Sequence, residues 1–222
     1  TLGRGVIGDD DPSDCGVLME NPGDVPAGEP DPNQPEGMQH QQVQVPGVTA
    51  RVPPSVGGGT FSTGAIVMTG QHTFVLDFLQ QMGVPANLVS RVVLPHAVLP
   101  RFIEALQQNV QMYSEKFGPP PELPKPPANQ RRPNVQEIYE NLKLPDEELP
   151  GHFADGVVIR HSAAEFCLDF VTHFFPHAAL SQRIFLSAPH VPPLLKALQA
   201  NYEKFKQGKP PENPPTPEEP SA

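Results

Sequence analysis

Phe74-Val75-Leu76-Asp77-Phe78 returns 92 positions later as Phe166-Cys167-Leu168-Asp169-Phe170. In each copy Phe, Leu and Phe fall on one side of a two-residue period and the Asp on the other, the pattern of a strand with one apolar face. Extending the offset outward, Phe61 to Asn109 aligns without a gap onto Phe153 to Asn201, with 15 of 49 positions identical. Unrelated stretches of ordinary composition would share roughly three. A period this long, present only twice, means two copies of a small domain, because a solenoid needs three or more stacked units.

Each copy reads as strands followed by one helix. In the first, Thr60 to Thr69 is short and mixed, Thr73 to Gln80 is a strand, Gly83-Val84-Pro85 is a turn, and Leu88 to Leu94 is a Val-rich strand. Leu99, Phe102, Ile103, Leu106, Val110, Tyr113 and Phe117 then recur at three and four residues, predicting an amphipathic helix ended by Gly118 in a left-handed cap. The second copy repeats the plan with strands over Gly156 to His161, Glu165 to Thr172 and Leu180 to Leu186. Its helix starts at Pro192-Pro193, tolerated only in a first turn, and is closed by Gly208. Before it, Val135, Ile138, Tyr139 and Leu142 predict a short helix docked on repeat two. A module of about 60 residues buries only about 60% of its unfolded surface. The two copies are therefore expected to pack together: an α+β fold of two small antiparallel sheets, each with one C-terminal helix, arranged as a pseudo-two-fold tandem.

Proline places the boundaries. Of 31 prolines, 22 lie in residues 1–58, 119–133 and 209–222. Residues 1–58 carry nine acids against Arg4 and Arg51, supply most of the net charge of -10, and read as a disordered acidic tail. Residues 59–118 are repeat one, 119–133 a stiff Pro-rich linker that holds the repeats apart or positions them, and 134–208 repeat two with its preceding short helix. Residues 209–222 are a disordered Pro-rich tail. Cys15 and Cys167 give no disulfide framework, and no apolar stretch approaches membrane-spanning length, so a soluble, cytoplasmic chain is expected.

The phrases Ala154-Asp155-Gly156, Arg160-His161-Ser162, Glu165 to Phe170, Arg183-Ile184-Phe185-Leu186-Ser187 and Asn201-Tyr202-Glu203-Lys204-Phe205 resemble the bacterial domain of unknown function 3467. The likeness covers 152–208 well and 60–118 more loosely, where Thr73 stands for Glu165 and Met68 for Arg160. It implies the strand and helix plan above and brings no activity, substrate or cofactor.

Asp77 and Asp169 sit opposite the Phe face, and Arg91 and Arg183 follow them by 14 positions on the next strand. Cross-strand ion pairs are expected, structural rather than ligand-facing. No second carboxylate recurs near either Asp, so no catalytic residue is assigned. His173 and His177 have i, i+4 spacing, but Pro176 and the strand pattern argue against the helix a metal site would need, and no metal or cofactor is expected. Cys167 reads as a small buried apolar group, and Phe61, Phe74, Phe78, Phe153, Phe166 and Phe170 as core. Gly57-Gly58-Gly59 leads into no helix and is a flexible joint, not a phosphate loop. The two repeat regions carry 12 acids and nine bases, which disfavours nucleic acid. The expected function is a non-enzymatic interaction or assembly module that binds a protein partner or itself, with no membrane and no small-molecule substrate. The alternative is a single-stranded nucleic-acid binder by analogy of fold.

Overall fold

The computed structural model of the chain describes residues 42–45, 48–124, 134–174 and 176–208. Strands β1 (Gln42–Val45) and β2 (Val48–Arg51), the helical turn α1 (Pro54–Gly57) and β3 (Thr60–Ser62) precede the first copy. That copy consists of β4 (Gly64–Thr69), β5 (Thr73–Gln80), β6 (Ala86–Pro95) and α2 (Leu99–Phe117). Then come α3 (Val135–Glu140), β7 (Leu142–Lys143), a 3-10 turn (Asp146–Glu148) and β8 (His152–Phe153). The second copy consists of β9 (Gly156–His161), β10 (Glu165–Thr172), β11 (Ala178–Ser187) and α4 (Val191–Lys206). Of the segments read as tails and linker, residues 1–41, 46–47, 125–133 and 209–222 lie outside the described residues.

Each copy forms an antiparallel three-stranded meander, β4-β5-β6 and β9-β10-β11, with a register shift at Phe78/Leu79 and at Phe170/Val171, the same position in both. The expected tandem of two sheets holds. What the sequence reading does not anticipate is the exchange of the segments that precede each meander. β2 and β3 add in parallel to β11 of the second copy, while β7 and β8 add in parallel to β6 of the first. The registers are equivalent: Ala50 opposes Ala178 and Thr60 opposes Ile184, as Leu142 opposes Ala86 and His152 opposes Val92, each residue of one set lying 92 from its counterpart in the other. Each copy thus extends an arm onto its twin, giving one sheet of six strands and one of five.

Three expectations are corrected by this exchange. The end of the segment read as a disordered tail is built into the second sheet, with Ala50 wholly buried and Val52 nearly so, because unpaired strand edges and an uncovered sheet face are open to it. The helix read as docking on repeat two ends at Glu140, and Leu142 begins a strand. It packs on repeat one, where Ile138, Tyr139, Leu142 and Leu144 cover Ile66, Leu79 and Leu88. Phe61 and Phe153 lie on the arm strands and are 37% and 38% exposed, not core. Gly118 does have positive φ, but its ψ of 172° is extended rather than left-handed helical.

One core joins the copies. Phe74, Leu76 and Phe78 of β5, Phe166, Leu168 and Phe170 of β10, and Leu106 and Leu198 of the long helices share a single apolar cluster. α2 lies against β9 of the other copy and α4 against β4. Tyr113 Oη donates to Ala163 O across this junction at 2.9 Å. Two pairs of equivalent residues touch each other and so mark the pseudo-two-fold axis: Phe78 with Phe170, ring centroids 5.8 Å apart, and Ser90 Oγ, which accepts from Gln182 Nε2 at 2.9 Å. No described helix is long and apolar enough to cross a membrane.

Candidate functional site

The polar features of the two sheets converge where each arm meets its acceptor strand. Asp77 and Asp169 project from the strand face opposite the shared core, and both are wholly buried. The structure brings Asp77 together with Arg91, whose Nε and Nη2 donate at 2.8 and 2.7 Å, and Asp169 with Arg183, at 2.6 and 2.9 Å. These two-pronged contacts, with burial opposing them, raise both guanidinium pKa values above their usual range. The remaining Nη1 of each arginine reaches the arriving arm: Arg91 donates to Leu149 O at 3.2 Å and Arg183 to Gly57 O at 3.0 Å. Positions 149 and 57 are again 92 apart. Each arginine therefore grips a carboxylate of its own copy with one edge and the other copy's backbone with its tip.

The arms pass close to these arginines because of two glycines. Gly59 and Gly151, equivalent under the offset, have φ of +69° and +72°. A Cβ at Gly59 would lie 2.5 Å from the Phe185 ring and 2.8 Å from Arg183 Cγ, and one at Gly151 would lie 2.9 Å from Arg91 Cγ. Gly57-Gly58-Gly59, read as a flexible joint, is a fixed turn: Gly57 closes α1 and Gly59 turns the chain onto β11.

The fourth partner distinguishes the copies. In the first, Tyr139 from α3 hydrogen-bonds Asp77 Oδ2, and burial, followed by the Asp77 charge, pushes the phenol pKa well above its ordinary value. The residue 92 before it is Gly47, outside the described residues. In the second copy Arg160, standing where the first has Met68, donates Nη2 to Asp169 Oδ2 at 2.6 Å. Its side chain is 40% exposed, while its Nε is buried with no acceptor. Cys167 Sγ lies 3.4 Å from Asp169 Oδ1 and 3.6 Å from Arg160 Nη2. Burial, then Asp169, pushes this thiol up to about 11, so the two arginines do not make it a nucleophile.

His173 and His177 lie in the β10–β11 loop and not on a helix; His173 Nδ1 is 2.7 Å from Asp155 Oδ1. Sequence reasoning finds the Asp and Arg residues but misses Arg160, Tyr139 and the arm carbonyls. Met68 against Arg160 in the alignment is the available signal, since a long apolar side chain and a cation at one position mark different surroundings.

The hairpin tips form a second paired feature. Met82 and Val84 on the β5–β6 loop are 71% and 98% exposed, and Phe174, equivalent to Met82, is 61% exposed. Phe174 stacks on half-exposed Phe153 at 5.7 Å between ring centroids. The tips are held alike: Thr63 Oγ1 accepts from the amide of Gln81 at 2.8 Å, and Asp155 Oδ1 from that of His173 at 3.1 Å.

A family model described as a protein of unknown function, DUF3467, matches residues 28–120 and again residues 124–209. No curated protein and no solved structure matches the chain.

Proposed function

From the premise that the chain belongs to the DUF3467 family, we propose that it is a non-enzymatic interaction or assembly module, binding a protein partner through its hairpin tips from within the cytoplasm. The observation that carries this reading is the exposure of large apolar side chains at equivalent positions of both tips, Met82 and Phe174, on loops fixed by hydrogen bonds at their bases. Exposed apolar side chains grouped with a neighbouring aromatic mark contact surfaces. The buried charges favour a structural role, because each Asp is saturated by donors that also hold the arms. The nucleic-acid alternative is less favoured, since Phe74, Phe78, Phe166 and Phe170 are wholly buried and leave only the part-exposed Phe61, Phe153 and Phe174 to stack on a base.

The test is cross-linking mass spectrometry on the full chain and on Met82→Ser/Phe174→Ser. A partner cross-linked near the tips of the native chain, and lost in the variant at unchanged melting temperature, is the expected result. Equal recovery with both proteins refutes the tips as the contact.

A further inference from the structure

We infer that each repeat is a recognition module for the other, so that a second copy of this chain can supply the opposite repeat in trans. This surface is distinct from the hairpin tips, and either reading can fail without the other.

The contacts between the repeats are those of an isologous interface, in which one set of groups is used twice. β2 and β3 insert beside β11 as β7 and β8 insert beside β6. Arg183 holds Gly57 O as Arg91 holds Leu149 O. Tyr113 of α2 meets Ala163 beside β9, while Phe205 of α4 packs on Phe74 with centroids 5.5 Å apart. None of these contacts depends on the chain that joins the repeats. Each arm is tied to its own copy by a very short connection, one residue between β3 and β4 and two between β8 and β9. Arm and meander must therefore move together, and the separable unit is an arm with the meander and helix that follow it.

Between the units runs residues 119–133, a 15-residue segment with seven prolines. Such a linker contributes an effective concentration on the order of millimolar when short and flexible, and otherwise one set by how well its length and stiffness match the span. Its described residues, 119–124, take part in none of the contacts above. A unit from another molecule makes the same hydrogen bonds and buries the same core, so it competes with the tethered one at high chain concentration or whenever the tether is cut. The occupant is a second copy because the register, the glycine turns and the arginine tips are matched to this chain's own arms.

The experiment uses the folded full chain. A recognition sequence for a specific protease replaces residues 125–130, and the uncut protein is first shown to melt like the native one. After cleavage, both fragments are expected to elute together in gel filtration at the mass of the intact chain. Nicked protein tagged at its N-terminus is then mixed in equal amount with nicked, isotopically labelled, untagged protein, and the mixture is unfolded and refolded. Capture of the tag is expected to retain second-repeat fragments of which about half carry the label, as statistical exchange requires. Separation of the fragments after nicking overturns the inference. So does retention of only unlabelled second fragment, or of no second fragment, after refolding.

Discussion

At the scale of single residues, the environment of Asp169 ranks its two arginines. Arg183 is buried and makes a two-pronged contact plus a bond to the arm. Removing one partner of a buried pair costs about 3–5 kcal/mol, because the other charge stays buried. Arg160 is part-exposed and carries an unpaired buried Nε, so its pair resembles a surface one, worth about 0–1 kcal/mol. Denaturant melts are expected to show a large loss for Arg183→Met and a small one for Arg160→Met; similar losses would mean that the two arginines share the load. Cys167 gives a second expectation. With its thiol pushed up to about 11, it holds very little thiolate at pH 8, and in Cys15→Ser protein it is expected to react with iodoacetamide at least about 100-fold more slowly when folded than in denaturant. Comparable rates would place it at the surface.

His161 gives the junction a pH dependence. It faces α2, with Nδ1 3.2 Å from Asn109 Oδ1, and its neighbours are Tyr113, Phe117, Phe166 and Lys116. Burial, and after it the charge of Lys116, lowers its pKa below 6.5. The fold thus prefers the neutral ring, and the unfolded chain takes up the proton first. The linked stability is complete above about pH 6.5 and is lost as pH falls from there toward the folded value. Thermal melts at pH 7.5 and 5.5 are expected to differ less for His161→Gln than for the native chain. His190, also lowered by burial, leaves a residual difference in both proteins.

Among the elements, the arms turn most sharply on the glycines. Gly151→Ala and Gly59→Ala each force a side chain into positive φ and into contact with Arg91 or Arg183, a combination that costs about 2–4 kcal/mol in strain and displaced packing. Amide exchange would locate the damage: protection is expected to fall in β7 and β8 for Gly151→Ala, and in β2 and β3 for Gly59→Ala. Unchanged protection of those strands would show that the arms tolerate the bulk. The meanders and long helices were legible in the sequence because their periods are intact, with Phe74, Leu76 and Phe78 alternating and Leu99 to Tyr113 recurring at helical spacing. The arms were not. β3, β7 and β8 are two or three residues long, too short to show a period, and their pairing is with the distant copy. Asp77 could be matched to Arg91 by counting along adjacent strands, whereas Tyr139 reaches Asp77 only through a helix whose docking the sequence does not encode locally. Phe74 to Leu79 is apolar at every position but Asp77, and that near-continuous run is the signal in the sequence, since a strand buried on both faces needs a cover on each.

For the whole molecule, one shared core means one cooperative unit. Leu106 and Leu198 belong to different copies, yet both are wholly buried in the same cluster. Leu106→Ala and Leu198→Ala are each expected to cost about 2–5 kcal/mol and to lower a single unfolding transition. Two transitions, only one of which moves in each variant, would show that the repeats unfold as separate domains. The pair on the symmetry axis carries a further consequence. In an assembly of identical halves, a residue on the dyad must face itself, but here Ser90 offers an oxygen to the amide of Gln182. Two second repeats would set glutamine against glutamine there, and two first repeats serine against serine, each replacing this donor–acceptor pair with another of different side-chain volume. The joined chain is thus polar about its axis, with serine on one side and glutamine on the other, and any exchange that keeps unlike halves together inherits that polarity.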